Sequence, residues 1–266
     1  MTPDLLAPGT APAMVLLAVR IGGMLLVAPL FSARNVPVKV RTGLLLLLTL
    51  VLAPAAVAGA RAVAPGGSLA TLDVTPATFC SETLVGLAIG LGAALLVGAV
   101  ETAGDLMSTT IGLSGATLFD PLGGQMSTVL THFAQLFALT VLLALDGHLV
   151  MLDALGASVR AVPLGAAVDA AAGLRAMADA GGTLFVLGLR FAAPVLAATL
   201  IGNAALAVLT RAAPQLNVLS VAFPVQIVLG LTAMVATLAF VATWMTGWGA
   251  QLDAQLGRTF DALLAR

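Results

Sequence analysis

The sequence has very few charged residues, and this scarcity excludes most classes of soluble protein. Only 9% of its 266 residues are Asp, Glu, Lys or Arg, whereas 60% are hydrophobic, and the mean hydropathy is +1.11. Soluble domains carry roughly 25% charged residues, so this chain cannot cover a surface in water. Its net charge of −1 and lack of a basic block also argue against nucleic-acid binding. We therefore predict an integral membrane protein that contacts the lipid bilayer.

The sequence also lacks the residue clusters that catalysis and metal binding require. Cys80 is the only cysteine, so no intrachain disulfide can form. His132 and His148 have no His or Cys partner at ligand spacing, whereas a metal site needs three or four converging ligands. No nucleophile elbow, zinc-protease motif or phosphate-binding loop is present. We predict no cofactor, no metal site and no enzymatic activity.

Long stretches without any charge are what the sequence has instead. They cover residues 5–19, 42–60, 83–100, 121–145, 191–210 and 212–252. A helix needs about 20 apolar residues to span a bilayer, so we predict an all-α integral membrane protein with about six long hydrophobic helices. Their predicted positions are near 11–31, 43–60, 79–100, 127–152, 182–209 and 218–246.

Proline and glycine predict breaks in this pattern. Pro214 and Pro224 should divide or kink the last charge-free run, because proline removes a helical donor and clashes with the preceding turn. The Ala-rich segment 169–182 should form a short separate helix that Gly181 and Gly182 end. The charges of the connections do not decide which side of the membrane each end faces.

The third predicted helix is rich in glycine. Gly86 and Gly90 are four residues apart, and Gly92 and Gly98 follow. Small residues at this spacing let helix backbones approach closely. The pattern leaves open whether the partner helix belongs to this chain or to another subunit, and glycine is also generally common in membrane helices.

Several polar residues interrupt or border the apolar helices. Ionisable groups are costly in hydrocarbon, so they either pair with polar groups on neighbouring helices or line an aqueous path. A polar turn between apolar helices needs hydrogen-bond partners for the same reason. We therefore assign inter-helix or inter-subunit polar contacts to Arg20, Glu101, Asp105, Arg190, Arg211, Gln215 and Asn217.

An apolar, glycine-rich segment, LSGATLFDPLGGQ at 113–125, lies between two predicted helices. Asp120, Pro121 and Gly123 occupy positions of a type I turn that favour these residues. Non-helical backbone at membrane depth is tolerated only where protein buries it or where it lines a cavity. A dry apolar constriction can exclude water and ions, and a plain re-entrant or interfacial loop is the alternative. The candidate plug residues are Ile111, Gly112, Leu113, Gly115, Leu118, Phe119, Asp120 and Pro121.

Five stretches in the same order resemble the FliR family, which includes the injectisome SctT proteins. The most specific is RAAPQLNVLSVAFPVQI (211–227), in which Arg211, Pro214, Gln215 and Asn217 stand together as in that family. The resemblance covers about residues 11–250, and the DGH stretch is more similar to flagellar FliR than to SctT. The other four stretches are VRIGGMLLVAPLFSARNVPVKVRTGLLLLL (19–48), GLAIGLGAALLVGAVETAGDLMSTTIGLSGATLFDP (86–121), ALDGHLVMLDAL (144–155) and SVRAVPLG (158–165).

The resemblance implies a core subunit of the flagellar type III export gate, in the bacterial inner membrane at the flagellar basal body. Such a subunit joins FliP and FliQ, with FlhB and FlhA nearby, around a passage for unfolded export substrates. It implies one helical domain, 1–266, with a FliP-like part at roughly 1–180 and a FliQ-like part at roughly 181–266. The family also carries a loop that plugs the closed pore, and this loop corresponds to residues 110–122.

Other functions remain open on the sequence alone. An injectisome SctT subunit would share the same motifs. A small-molecule transporter is disfavoured because its acids should lie near the middle of the membrane, whereas these acids lie mostly near helix ends. A passive scaffold within a membrane complex remains consistent with the resemblance if the loop is inert. Hydropathy reports an apolar neighbour without saying whether that neighbour is lipid or protein.

Overall fold

The computed structural model describes residues 10–32, 36–63, 72, 74–112, 129–213 and 218–264. Within these ranges the secondary structure is helical and contains no strand, so the all-α prediction is confirmed. The helices are α1 (Thr10–Val27), α2 (Pro29–Ser32), α3 (Val38–Val63), α4 (Pro76–Ile111), α5 (Val129–Ala144), α6 (Gly147–Ala161), α7 (Ala170–Ala212), α8 (Val218–Met245) and α9 (Trp248–Leu264).

Five of the described helices are long and apolar enough to cross a membrane: α1, α3, α4, α7 and α8. Helices α5 and α6 pass the same test together, although they are bent by 67° at the break between them. Counting that pair as one broken span gives six. The prediction of about six long hydrophobic helices with kinked segments is therefore confirmed.

Local sequence explains where two of the long helices begin. Helix α4 starts with Pro76, whose missing N–H costs nothing in the first turn, and the Thr75 hydroxyl accepts a hydrogen bond from Thr78 N–H at 3.2 Å. Helix α7 starts after Asp169, whose carboxylate accepts bonds from Ala171 N–H at 2.9 Å and from the next residue at 3.0 Å. These caps satisfy backbone donors that have no partner inside the helix.

The first of two compact units comprises residues 1–95, 146–181 and 249–266. Its core includes the fully buried face of α1, and α1 packs against α3 and α4. A Cβ added to Gly86 would overlap the carbonyl oxygen of Arg20, and one added to Gly90 would lie 2.7 Å from the carbonyl oxygen of Met24. The backbones of α1 and α4 are thus in direct contact. For Gly86 and Gly90, close packing within the chain is confirmed.

The second unit comprises residues 96–145 and 182–248. Phe191 on α7 contacts two rings of α8 edge-on, Phe240 with centroids 6.2 Å apart and Trp244 with centroids 5.3 Å apart. Helix α7 also approaches α4 closely, because a Cβ on Gly188 would lie 3.1 Å from the side chain of Thr102. Edge-to-face aromatic pairs and small residues are the contacts that hold helices together where no water is available to drive association.

One predicted boundary is wrong. Gly181 and Gly182 do not end a short helix, since α7 runs without interruption from Ala170 to Ala212. Among the described glycines, only Gly112 and Gly165 have the positive φ that a glycine helix ending uses. Long α7 therefore joins the Ala-rich segment to the apolar run in one helix.

Two other boundaries differ from the predicted positions. Helix α4 extends past the predicted end at residue 100 and includes Glu101 and Asp105 before it ends at Ile111. The predicted helix at 127–152 is interrupted at Asp146, whose φ of 55° is left-handed. The carbonyl of Asp146 accepts bonds from Leu149 and Val150 N–H and so starts α6 in a new direction.

Candidate functional site

The end of α4 is held in a notch on α8. Ile111 is the last residue of α4, and its side chain is fully buried. A Cβ added to Gly230 would overlap Ile111 Cγ1 and would lie 2.6 Å from Ile111 Cδ1. Ile111 therefore occupies the space that a side chain at position 230 would fill.

Gly112 turns the chain away from the helix immediately afterwards. Its φ is 88°, a conformation that side chains rarely adopt, and its N–H donates to the carbonyl oxygen of Thr109 at 3.3 Å. A Cβ on Gly112 would lie 3.6 Å from the ring of Phe223, also on α8. Both residues at this exit thus contact α8.

The predicted plug segment begins at this point. Of its candidate residues, Ile111 and Gly112 are described, and Ile111 points into the chain rather than towards an open space. The remaining candidates lie outside the described residues; they are Leu113, Gly115, Leu118, Phe119, Asp120 and Pro121.

Arg20 is fully buried at the centre of a polar network in the first unit. Its Nε donates to Glu82 Oε2 at 2.6 Å, which makes an ion pair whose two side chains are 0% and 2% exposed. Its Nη1 donates to the backbone and hydroxyl oxygens of Ser158 at 3.0 and 3.3 Å, and its Nη2 to the carbonyl oxygen of Val162 at 2.8 Å. The other Glu82 oxygen accepts from Gly165 N–H at 2.9 Å. One guanidinium thus joins α1 to α4, to α6 and to the turn that follows α6.

Sequence reasoning identified Arg20 but missed its partner. Glu82 directly precedes the charge-free run 83–100, and that run by itself predicts no role for it. A buried guanidinium needs a carboxylate, and an acid one residue before an apolar run was the available signal. The backbone acceptors at Ser158 and Val162 had no signal, because every residue carries a carbonyl and only the packing of the first unit brings these two to Arg20.

The other two acids of α4, Glu101 and Asp105, lie in the second unit. Asp105 is exposed, and its carboxylate accepts a hydrogen bond from the hydroxyl of Thr131 on α5. Gly104 lies beside this bond, since a Cβ there would be 2.8 Å from the Cβ of Ala134. Glu101 is half-buried one turn earlier on α4. Asp105 thus links α4 to α5.

The predicted arginines of α7 are placed differently. Arg190 and Arg211 are both exposed, and neither forms an ion pair within the described part of the chain. Gln215 and Asn217 lie outside the described residues. The polar link that the structure does place between α7 and α8 is an amide pair, Gln226 donating to Asn203. Sequence reasoning overlooked this pair, although two amides inside apolar runs were a visible signal.

Comparison with known proteins gives a consistent assignment. Residues 11–251 match the family described as bacterial export proteins, family 1. Three similar proteins carry the name flagellar biosynthetic protein FliR. That of Pectobacterium carotovorum is 33% identical over 223 residues, 81% of this chain and 80% of the relative. That of Escherichia coli is 30% identical over 229 residues, which are 84% of this chain and 83% of the relative. That of Caulobacter vibrioides is 30% identical over 239 residues, which are 88% of this chain and 92% of the relative.

Proposed function

Because the chain belongs to the bacterial export proteins of family 1, we propose that it is a subunit of the flagellar export apparatus in the bacterial inner membrane. The observation that carries this proposal is the extent of the match, which begins one residue into α1 and ends in α9. It therefore includes the membrane-length helices α3, α4, α7 and α8 in full. The injectisome alternative is not favoured, since the relatives above carry the flagellar name.

Within this apparatus the chain helps to form and close the channel for unfolded flagellar substrates. Support comes from the segment after Gly112, which is apolar and glycine-rich and leaves the end of a membrane-length helix. Leu113, Leu118 and Phe119 supply the apolar side chains of the seal, and Gly115 supplies the backbone freedom for its displacement. Ile111 serves as an anchor in this proposal, because its burial against Gly230 leaves no surface to face a passage.

The partners that the proposal implies are FliP, FliQ, FlhB and FlhA type subunits. Large apolar side chains on α7 and α8 support contacts of this kind, because each is exposed on the isolated chain and needs lipid or protein against it. Examples are Phe185, Ile201, Val228 and Val235. Arg190, Arg211, Gln215 and Asn217 contact other subunits in this assembly. The role is non-catalytic, and within the described residues no group of three or more His, Cys, Asp or Glu side chains could hold a metal ion.

Deletion of residues 113–119 tests the seal. The proposal expects ions to leak across the inner membrane of cells that carry the shortened chain, measured as loss of membrane potential or as uptake of a normally excluded ion. The control is the same deletion in a strain without the FliP-type subunit, where no channel assembles and the leak should disappear. An intact ion barrier in cells with a normal amount of the shortened chain would refute the seal.

A further inference from the structure

Two contacts fix the point at which the chain leaves α4, and both are made by α8. Ile111 fills the notch at Gly230, and Gly112 lies against the ring of Phe223 one residue later. Phe223 and Gly230 are seven residues apart, about two turns, so they lie on the same face of α8. That face of α8 therefore contacts both Ile111, the last residue of α4, and Gly112, the first residue after it.

The fit at Gly230 is tight and specific to one side chain. A Cβ there would meet three atoms of Ile111, including Cδ1 at 2.6 Å and Cγ2 at 3.3 Å. Ile111 is 0% exposed and β-branched, so it has few other rotamers to adopt. Any side chain at position 230 must therefore force a shift of the Ile111 side chain, of the end of α4 or of α8.

We infer that Gly230 is a positioning residue of the export channel, because its notch receives Ile111 and thereby fixes where the chain departs from α4 towards residue 113. This inference rests on the proposed function and deepens it. Gly230 need not touch an exported substrate. It acts through Ile111, while the left-handed backbone of Gly112 sets the direction of departure.

The test uses size exchange in the full-length chain, expressed from its own chromosomal position. Gly230→Ala should raise ion permeability and lower flagellar export, each by about tenfold, because overpacking strain of ordinary size shifts a two-state population by that factor. Adding Ile111→Ala to Gly230→Ala removes the atoms that the new methyl group meets, so the double variant should recover most of the barrier. Gly182→Ala is the matched control, because Gly182 lies in a helix of the same unit with nothing within 4 Å of its Cβ position.

The amount of the chain in the membrane is measured in parallel, so that misfolding is separated from mispositioning. The inference is overturned if Gly230→Ala behaves like Gly182→Ala, or if its defect persists unchanged when Ile111→Ala is added. A Gly230→Ala defect that only follows a fall in chain abundance also overturns it.

The deletion of residues 113–119 distinguishes failure of the inference from failure of the seal. If the deletion leaks ions and Gly230→Ala does not, the seal stands and the positioning role fails. If cells with the shortened chain do not leak ions, the proposed seal is refuted, and the export measurements alone then test the inference. Rescue of export by Ile111→Ala then supports Gly230 as a positioning residue, and lack of rescue refutes it.

Discussion

Arg20 and Glu82 form an ion pair from which water is excluded, inside a chain that has few charges. Burial of two charges costs several kcal/mol per ion unless hydrogen bonds satisfy the remaining donors and acceptors. Here the guanidinium also donates to Ser158 and Val162, and the carboxylate also accepts from Gly165 N–H. The pair is thus compensated only when α1, α4 and α6 are in their correct register. We interpret it as a contact that specifies arrangement more than it adds stability.

Removal of one partner should therefore harm the protein more than removal of both. Arg20→Met leaves Glu82 buried without its cation and should cost about 3–5 kcal/mol. The double variant Arg20→Met with Glu82→Met replaces the pair by apolar side chains and should recover most of that loss. The measurement is the thermal unfolding midpoint of the purified export complex in detergent.

Arg258→Met is the control for loss of an arginine, since Arg258 is exposed on α9. It should leave the midpoint within about 2 °C of the wild type, as surface substitutions usually do. A double variant no more stable than Arg20→Met alone would contradict the interpretation.

Single elements differ in how well the sequence predicts them. Helix α8, predicted at 218–246, is observed at Val218–Met245, because the run between these residues is long, carries no charge and is predominantly apolar. Helix α4 continues to Ile111 although the sequence predicts an end near residue 100, and within this extension Asp105 accepts a hydrogen bond from the hydroxyl of Thr131 on α5. Hydropathy registers the acid but contains no information about that partner.

Gly181 and Gly182 show that a glycine pair does not by itself end a helix. A glycine pair is a normal helix ending, yet here α7 continues through it because the segments on both sides favour helix. The φ angle of the glycine distinguishes these two cases, and the sequence does not supply that angle. At Gly112 the angle is positive and the helix does end.

This difference predicts opposite responses to alanine at the two places. Gly181→Ala and Gly182→Ala should each stabilise the protein by about 0.5–1 kcal/mol, because alanine loses less backbone entropy in a continuous helix and nothing lies within 4 Å of either Cβ position. Gly112→Ala should destabilise it by about 1–2 kcal/mol, because alanine strains a left-handed backbone. Thermal unfolding of the purified complex measures all three. Destabilisation by Gly182→Ala would indicate that α7 is interrupted there.

For the whole molecule, sequence identifies the kind of protein better than it identifies the site. Scarcity of charge is enough for the membrane class, and the ordered motifs are enough for the family. The site depends on contacts between distant residues such as Ile111 and Gly230, which no local pattern encodes. The division into a FliP-like part and a FliQ-like part remains a prediction from resemblance.

Whether the exposed apolar faces meet lipid or other subunits is a question for the assembled complex, and cysteine labelling answers it. Cys80 is the only cysteine and is exposed, so Cys80→Ser provides a cysteine-free chain. In that background we expect Ile201→Cys, on the exposed face of α7, to react with a maleimide in the purified chain alone and to be protected in the complex with its partners. Ala254→Cys, on the polar side of amphipathic α9, is the control and should react in both samples. Equal labelling of Ile201→Cys in the chain and in the complex would place this face against lipid. A lipid-facing thiol is surrounded by detergent in both samples, whereas a bound subunit would cover it only in the complex.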